Sequence, residues 1–468
     1  MKRIAVLAAT FAALLVVLAV GGPGGFPAPQ PAEATTTTWI WPVAPQSYTV
    51  PGNNQALVAN DTIFSLPCSN CYLTRIEPDL IYQSDPSHTD GTVANYNNNN
   101  TTDGVWLHHF VIIDTCDLSK RIISSGNERS ILQYPAGYGY YEAPGCGWLL
   151  NFHLHNNGIN PRNVAIKLNV TYQTAALLTA TPVWLDISAS TDPMHGSEYT
   201  IPIGYSDKHT GETGLHADYT MSVQGKIIGM GGHVHDYGIS VSAFNTGAGD
   251  RPDDWICTSV AGYGMNPTNG NSSIYRGTGA PGTPGHPAAA NSETLKAGYQ
   301  QEGPPADRYH IQSMTPCTIS ARMSIICTGD VIRLHTQYNN TSGFPIVDAM
   351  GIMVMYLATP PNVPDANSNG IWDGCDTADS DGDGFSDRVE ASTTTLANSR
   401  CGVNAWPPDI DNSGYVDVIG DISIVASNFA AKVPPAPDRD DLAPNPTDGV
   451  IDVTGDISTM AGLFAQHC

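Results

Sequence analysis

Three histidine pairs lie on apolar segments of this chain: His108-His109 in VWLHHFVII, His153-x-His155 in LLNFHLHNN and His233-x-His235 in MGGHVHDYG. On a β-strand, residues i and i+2 point to the same face, so an H-x-H pair can aim two imidazoles at one ion. Adjacent histidines point to opposite faces, so His108 and His109 can share an ion only if the strand twists or bulges there. Imidazole binds zinc, copper, iron and nickel. The three pairs therefore predict a transition-metal site on strands.

A methionine-rich segment late in the chain bears on the identity of the metal. The segment DAMGIMVMY contains Met350 and Met353. A thioether is a soft ligand that favours Cu(I) over zinc. The alternation of Met353 and Met355 with Ile352 and Val354 is, as a bare pattern, typical of a core strand. Composition alone makes none of these methionines a ligand.

The order of these motifs resembles that of the copper type II, ascorbate-dependent monooxygenases, the family of peptidylglycine α-hydroxylating and dopamine β-monooxygenases. The family carries His-His followed by Cys, a further strand His, an H-x-H followed by Gly, and a final Met. This chain offers His108-His109 with Cys116, HLHNN, HVHDYG and DAMGIM, over about residues 60–360. The HHF, HLHNN and GGHVHDYG segments are also similar to plant stress-upregulated nodulin 19-like proteins.

The resemblance implies two copper ions and a role for each ligand. The electron-transfer copper would be held by His108, His109 and His153. The catalytic copper would be held by His233, His235 and Met350, because the acidic residue just before Met350 matches the family. The alternates are His155, Met353 and His335. The implied reaction is hydroxylation of a substrate C–H bond with O2, with ascorbate or another reductant as co-substrate.

Departures from the family bear on the substrate. The peptide-hydroxylating members bind substrate with an Arg two residues before the H-x-H pair and with Asn and Tyr after the Met. Gly231, Ile352 and Val354 stand at these positions here. A peptide carboxylate would find no partner there, so we expect a small, non-peptide substrate, or none.

The C-terminal segment is acidic and carries calcium-loop motifs. From residue 362 onward it holds 18 acidic residues against 4 basic ones. The segment DSDGDGFSDRVE fits the EF-hand loop in full, which predicts calcium ligands at Asp379, Asp381, Asp383, Phe385, Asp387 and Glu390. A shorter version begins at Asp365.

An internal repeat with an offset of 35 residues follows, in which GYVDVIGDIS recurs as GVIDVTGDIS. The pair resembles a dockerin module, which implies calcium ligands at Asp409, Asp411, Ser413, Asp417, Asp421, Asp448, Asp452 and Asp456. Asp421 falls one place later than the usual twelfth position. The second loop is degenerate at its front, where Asp440, Asp441 or Asn445 could compensate. The resemblance implies docking onto a cohesin-like receptor; a calcium-stiffened spacer is the alternative.

The pattern of short apolar segments separated by polar loops predicts a mainly β protein. We expect two tandem antiparallel β-sandwich, jelly-roll-like domains followed by a small calcium-loop α module. The predicted divisions are a signal peptide (1–34), a lead-in (35–60), two sandwich domains (61–185 and 186–360), a calcium-binding linker (361–400) and a dockerin-like module (401–468).

Composition indicates an exported protein. Lys2-Arg3, an apolar run and Ala32-Glu33-Ala34 are typical of a cleaved signal peptide, so we expect a secreted protein without a membrane anchor after cleavage. Ten cysteines predict disulfides in that setting. For Cys68-x-x-Cys71, structural bridging is favoured over a redox or metal pair. A net charge of −24 disfavours nucleic acid and anionic membrane as partners.

Three functions remain open at this stage. The first is a secreted copper monooxygenase-like oxidoreductase. The second is a non-catalytic copper-binding protein of the same fold, for storage or delivery. The third is a calcium-stabilised extracellular structural or docking protein. No G-x-S-x-G elbow supports serine hydrolase chemistry.

Overall fold

The computed structural model describes residues 34–41, 47–53, 55–63, 65–82, 105–126, 128–156, 158–188, 198–246, 254–263, 311–317, 319–433, 435–442 and 447–468. The predicted signal peptide lies outside these residues, apart from its last residue. Within the described residues, no helix has the length and apolar character needed to cross a membrane.

The first half of the chain is built from strands. These are β1 (Thr35–Trp41), β2 (Tyr48–Val50), β3 (Gln55–Ile63), β4 (Cys71–Tyr82), β5 (Val105–Asp114), β6 (Arg121–Gly126), β7 (Leu132–Gln133), β8 (Tyr138–Glu142), β9 (Trp148–Asn156), β10 (Arg162–Gln173) and β11 (Leu178–Asp186).

The second half continues this pattern, and the C-terminal segment adds short helices. The strands are β12 (Glu198–Ile201), β13 (Gly204–His209), β14 (Tyr219–Thr220), β15 (Gly225–Val234), β16 (Gly238–Asn245), β17 (Asp254–Tyr263), β18 (Ile311–Met314), β19 (Ile325–Ile326), β20 (Val331–Asn340) and β21 (Ile346–Ala358). The α-helices are α1 (Asp387–Thr393), α2 (Ser423–Ser427) and α3 (Ser458–Gly462).

The described strands form three sheets. An eleven-stranded sheet runs in the order β1-β10-β4-β8-β11-β21-β15-β19, with β2, β7 and β12 paired to its members. A four-stranded sheet has the order β3-β9-β5-β6, and a six-stranded sheet has the order β13-β20-β16-β17-β18 with β14 on β20. The pairing is antiparallel apart from a short parallel contact between β8 and β11. The mainly β class with antiparallel sheets and a small helical C-terminal part is confirmed.

Strand β21 joins the two halves because both of its faces are buried. Ile352, Val354 and Tyr356 belong to the apolar core of the first half. Met353 and Met355, which point the opposite way, belong to the core of the second half. A strand with both faces buried carries a nearly continuous apolar sequence, which explains the run from Met350 to Ala358.

Two features of the strands bear on the expected divisions of the chain. Residues 35–60, expected to be a lead-in, form β1, β2 and most of β3, and β1 pairs with β10. The aromatic residues of this segment hold it in place: Trp39 packs on Trp148, and Tyr48 packs on Phe152. Strand β11 pairs with β21 of the second half over seven residues. Because β11 also pairs with β8, it lies in the sheet that joins the two halves.

All ten cysteines are paired. The disulfides join Cys68 to Cys71, Cys116 to Cys146, Cys257 to Cys317, Cys327 to Cys375, and Cys401 to Cys468. The Cys68–Cys71 pair is thus a bridge, as favoured from the sequence. Cys327–Cys375 ties the acidic segment to the second half. Five disulfides fit folding in an oxidising compartment.

We expect Met355→Ala to lower the free energy of unfolding by about 2–5 kcal/mol, because it leaves a cavity where β21 packs in the core of the second half. Met355 is fully buried, and its register partners are Val183 and Met230. Urea denaturation followed by tryptophan fluorescence measures the change. Val347→Ala, at a 70% exposed position of the same strand, is the control and should change it by no more than about 0.5 kcal/mol. Equal effects of the two substitutions would contradict the central position of β21.

Candidate metal centres

A β-bulge places both members of the first histidine pair in one cluster. The register of β5 against β9 shifts between Leu107 and His109, so His108 is the extra residue. His109 lies directly opposite His153. The bulge that the sequence requires for His108 and His109 to face a common site is confirmed. A bulge is a means of redirecting a side chain within a sheet.

The six paired histidines converge on one place between the halves of the chain. The ring of His108 lies 4.6 Å from that of His153, 5.0 Å from that of His155 and 4.1 Å from that of His235, measured between centroids. His109 and His235 are stacked at 5.4 Å, and His233 lies 5.3 Å from His235. Two trios have ligand atoms within 4.8 Å of one another: His108/His109/His235 and His108/His153/His155.

This grouping differs from the division that the resemblance implies. That division gives each half its own ion, with His108, His109 and His153 in one half and His233, His235 and Met350 in the other. In the structure, His235 of the second half joins His108 and His109 of the first half, and His155 joins His153. The candidate centre is therefore shared by the two halves.

Burial favours the neutral form of four of these imidazoles. Burial, followed by the neighbouring histidines, lowers the pKa of His108, His109 and His235 well below the usual value. Burial and His155 lower the pKa of His153 to about 4. A neutral imidazole has a ring nitrogen with a lone pair, which is the form that binds metal ions.

Several of these nitrogens are buried without a hydrogen-bond partner among the described residues: Nδ1 of His109 and Nε2 of both His233 and His235. An unpaired buried polar atom is costly. A metal ion at the centre would satisfy these atoms, so the donor set fits a transition metal.

The other nitrogens of His233 and His235 are anchored, which fixes the orientation of each ring. His233 donates from Nδ1 to the Glu128 carboxylate at 2.9 Å, and His235 donates from Nδ1 to the carbonyl oxygen of Asp348. Such partners set the tautomer and direct Nε2 towards a metal. Burial alone would raise the pKa of Glu128, but His233 and the backbone N–H of Gly126 outweigh it and hold that pKa low. Glu128 belongs to the first half, so it holds a ligand of the second.

Tyr338 fixes the backbone beside His235. Its hydroxyl accepts from the backbone N–H of His235 at 3.0 Å and of Met350 at 3.1 Å, and donates to the Met350 carbonyl. Neither Glu128, in the segment GNERS, nor Tyr338 is identified as a supporting residue from the sequence. Glu128 lies in no metal motif, and its role depends on a contact 105 residues away in the chain.

The methionine candidates occupy opposite faces of β21. His233 lies opposite Ile352 in the register, and Val234 lies opposite Gly351. Met350 therefore shares the face of Ile352 and His233, whereas Met353 packs in the core of the second half. Of the two, Met350 is the one on the histidine side.

His335 lies apart from the six histidines. Its ring stacks on His209 at 5.0 Å, contacts Phe244 at 4.9 Å, and has Nδ1 3.8 Å from Asp207. These neighbours belong to β13 and β16. His335 therefore packs against side chains of the six-stranded sheet.

A cavity of about 450 Å³ has Gly231 and Gly232, the residues just before His233 on β15, in its lining. It is bounded by Ile123 and Tyr134 of the first half and by Met230, Gly231, Val354 and Tyr356. A Cβ on Gly231 would meet no atom within 4 Å, so this glycine leaves the space open. Gly231 lies two residues before His233 on the same strand face. The lining also includes Arg75, whose guanidinium pairs with Glu77 at 3.1 Å.

The loop Asp379–Glu390 has the features of a divalent-cation site. The carboxylates of Asp379, Asp381 and Asp383 lie together. Oδ2 of Asp381 and of Asp383 and both oxygens of Glu390 are buried without a hydrogen-bond partner. Burial and the neighbouring carboxylates raise the pKa of Glu390 to about 9 and that of Asp383 to about 7. A divalent cation would remove this repulsion.

Asp387 and Phe385, which are also predicted calcium ligands of this loop, make further contacts in the structure. Asp387 accepts from the backbone N–H and the hydroxyl of Ser380, at 2.9 and 2.6 Å. Phe385 packs against the core of the C-terminal repeats. Both contacts help to hold the loop in its conformation.

The first repeat accommodates its late aspartate through a π-helical turn. Residues Val418–Ile422 form this turn, in which Ile422 N–H bonds to the Asp417 carbonyl five residues back. The wider turn absorbs one extra residue. Asp421 thereby reaches Asp409 and Asp411, although it stands one place beyond the usual position. Asp417 caps the turn, and Ser413 donates to the Tyr415 carbonyl.

The second repeat uses the same turn, at Val453–Ile457, and replaces its missing front with Asp441. In the first repeat, Gly414 N–H bonds to Asp409; in the second, Gly449 N–H bonds to Asp441 at 2.7 Å. Asp456 accepts from Leu442 N–H and Asp452 N–H, as Asp421 does from Ile410 and Asp417. Asp448 and Asp452 accept from backbone N–H groups within their own loop.

We expect Tyr338→Phe to lower the free energy of unfolding by about 1–3 kcal/mol, because buried backbone groups of His235 and Met350 lose their partner. It should also weaken metal retention at the histidine centre, measured by competition with a chelator. Tyr199→Phe is the control, since its buried hydroxyl bonds the side chain of Thr336, at 2.6 Å, instead of the backbone of His235. Weakened retention in both variants would show a general effect of stability and contradict a positioning role for Tyr338.

Without divalent cations, the acidic segment should lose stability as pH rises from about 5 to about 9. The folded-state pKa of Glu390, about 9, lies above its unfolded value, so the folded state binds protons more tightly and is favoured at low pH. Differential scanning calorimetry between these pH values measures the trend. Calcium should abolish it, and Glu390→Gln should flatten it. An unchanged pH dependence in Glu390→Gln would contradict the prediction.

Comparison with known proteins leaves the function open. No family model and no curated protein matches the chain. Among solved structures, similarity extends to the major capsid protein P2 of bacteriophage PM2, at 8% identity and TM-score 0.26, covering 72% of this chain and 100% of that one. It also extends to a peptide-N(4)-(N-acetyl-β-D-glucosaminyl) asparagine amidase, at 11% identity and TM-score 0.29, covering 70% and 97%. Likeness at this level carries no argument about this chain.

Proposed function

We propose that this chain is a secreted copper-dependent oxidoreductase whose ions are held by the six-histidine centre. The observation that carries the proposal is the convergence of six imidazoles from both halves, four of them buried, of which three have buried nitrogens without a partner among the described residues. Burial of imidazoles is unfavourable unless they are ligated or paired. Met350, on the histidine face of β21, adds a soft ligand type that favours copper over zinc.

The residues around the centre support redox chemistry on a small molecule. Bound copper would supply electron transfer and O2 activation, with ascorbate or a similar compound as reductant. Glu128, Tyr338 and the Asp348 carbonyl hold the ligands of the second half in fixed orientations. The cavity beside Gly231 gives room for a substrate. Its apolar lining and the prior pairing of Arg75 with Glu77 favour an uncharged substrate over a peptide carboxylate.

Calcium in the proposed function is structural. The loop Asp379–Glu390 and the first repeat would bind calcium and hold the acidic segment folded against the second half, to which Cys327–Cys375 also joins it. We propose this segment as a calcium-stabilised module. Docking onto a cohesin-like receptor through the repeats remains a proposal that rests on the resemblance alone.

Copper content and oxygen uptake test the proposal together. Wild type is loaded with Cu(I), desalted and subjected to elemental analysis beside His235→Ala and the control His209→Ala, a histidine on β13 outside the cluster. We expect two ions in wild type and in the control, and a loss in His235→Ala. Addition of ascorbate to the loaded protein should then drive oxygen consumption in an oxygen electrode.

The outcomes separate the alternatives. If the protein retains copper but consumes no oxygen when reductant is added, its function is copper storage or delivery instead of catalysis. Absence of tightly held copper would overturn the metal centre and leave a calcium-stabilised extracellular structural protein. Equal copper loss in His235→Ala and His209→Ala would show that the ions bind elsewhere.

A further inference from the structure

His108 occupies a position between two groups of ligands. It is the one histidine common to both trios within the described residues. Its Nδ1 lies 3.1 Å from Nδ1 of His153, in the group completed by His155. Its Nε2 lies 3.9 Å from Oδ2 of Asp348 on the second half, and the carbonyl of the same Asp348 holds His235. Nδ1 of His108 therefore faces His153, and Nε2 faces Asp348, the residue whose carbonyl holds His235.

The β-bulge is what makes this position available. As the extra residue of β5, His108 has no register partner on β9. Its ring projects between His153 and His155 on one side and His235 on the other, with centroid distances of 4.1 to 5.0 Å. His109, in regular register, lies opposite His153.

We infer that His108 bridges two metal ions as an imidazolate, with Nδ1 bound to the ion shared with His153 and His155 and Nε2 bound to the ion shared with His109 and His235. The inference rests on the proposed function for the presence of the ions and adds that they form one dinuclear centre. His233, whose buried Nε2 lacks a partner, completes the second group.

Formation of the bridge requires that the His108 ring lose one proton. A neutral imidazole carries one N–H and one nitrogen with a lone pair. The first ion binds the lone pair, and the second displaces the remaining N–H proton to solvent, which leaves an anionic ring between two cations. Metal binding commonly releases protons from its ligands in this way. Burial would make a lone anionic ring costly, but a cation on each nitrogen offsets this cost.

Electron paramagnetic resonance of the Cu(II)-loaded full chain tests the bridge. Exchange through an imidazolate pairs the two spins, so we expect a severalfold deficit of integrated signal relative to copper measured by elemental analysis. Replacement of one ion by Zn(II), by loading one equivalent of each metal, should restore one full spin for each remaining copper. Mere proximity broadens a signal without removing its integrated intensity, so the spin count distinguishes the two cases.

His108→Gly provides the matched variant. It should bind copper without the deficit, and free imidazole added to the variant should fill the vacated space and restore the deficit. His209→Ala, outside the cluster, should behave as wild type. Should His108→Gly not fold, the Cu/Zn experiment on wild type still decides the question.

Each result has a definite meaning. Two coppers with two full spins in wild type would overturn the bridge while leaving the proposed copper function in place. No bound copper would overturn both. A spin deficit that persists in His108→Gly without imidazole would assign the coupling to another ligand and so overturn the role of His108.

Discussion

The structure depends on gathering six histidine side chains, four of them buried and two half-buried, between the two halves of the chain. Burial of a polar group is unfavourable by several kcal/mol unless it is paired, and Nε2 of His233 and of His235 have no partner among the described residues. Hydrogen bonds to Glu128 and to the Asp348 carbonyl orient these two rings before any ion arrives. A metal site requires that the residues around its ligands fix the orientation of those ligands in this way.

The same centre explains why the two halves share a strand. β21 places Ile352 and Tyr356 in the core of the first half and Met353 and Met355 in that of the second. His233 of β15 lies on the first-half face of this sheet, opposite Ile352, where Glu128 reaches it. Packing across β21 therefore fixes how far the ligands of one half lie from those of the other. A loose connection between the halves could not hold His235 at 4.1 Å from His108.

The acidic segment also gathers potential metal ligands, which here are carboxylate oxygens instead of imidazole nitrogens. Carboxylates gather without enough positive charge nearby, so burial and mutual repulsion raise the pKa of Glu390 and Asp383. A hard divalent cation with oxygen ligands relieves this repulsion. The π-helical turns show how the repeats keep that arrangement despite one extra residue. Both the histidine centre and these loops thus store an unfavourable interaction that a metal ion would remove.

The sequence by itself determined the local features: the mainly β class, the three histidine pairs, the need for a bulge at His108 and His109, and the disulfide-bonded character of the chain. These follow from short-range periodicity and residue chemistry. It also favoured Met350 over Met353, and the strand register gives these residues opposite faces. It did not reveal the strands within residues 35–60, because β1 begins with four threonines and its pairing with β10 is long-range.

Only the tertiary structure decided how the histidines group. The resemblance assigns the histidines of each half to a separate ion, whereas packing across β21 brings His235 close to His108 and His109. Glu128 and Tyr338 likewise act through contacts with residues about 100 positions away, for which local sequence carries no signal. The physical reason is that a metal centre built between two sheets depends on sheet-to-sheet distance and strand register. Both are properties of the packed core, and no segment of the sequence specifies them alone.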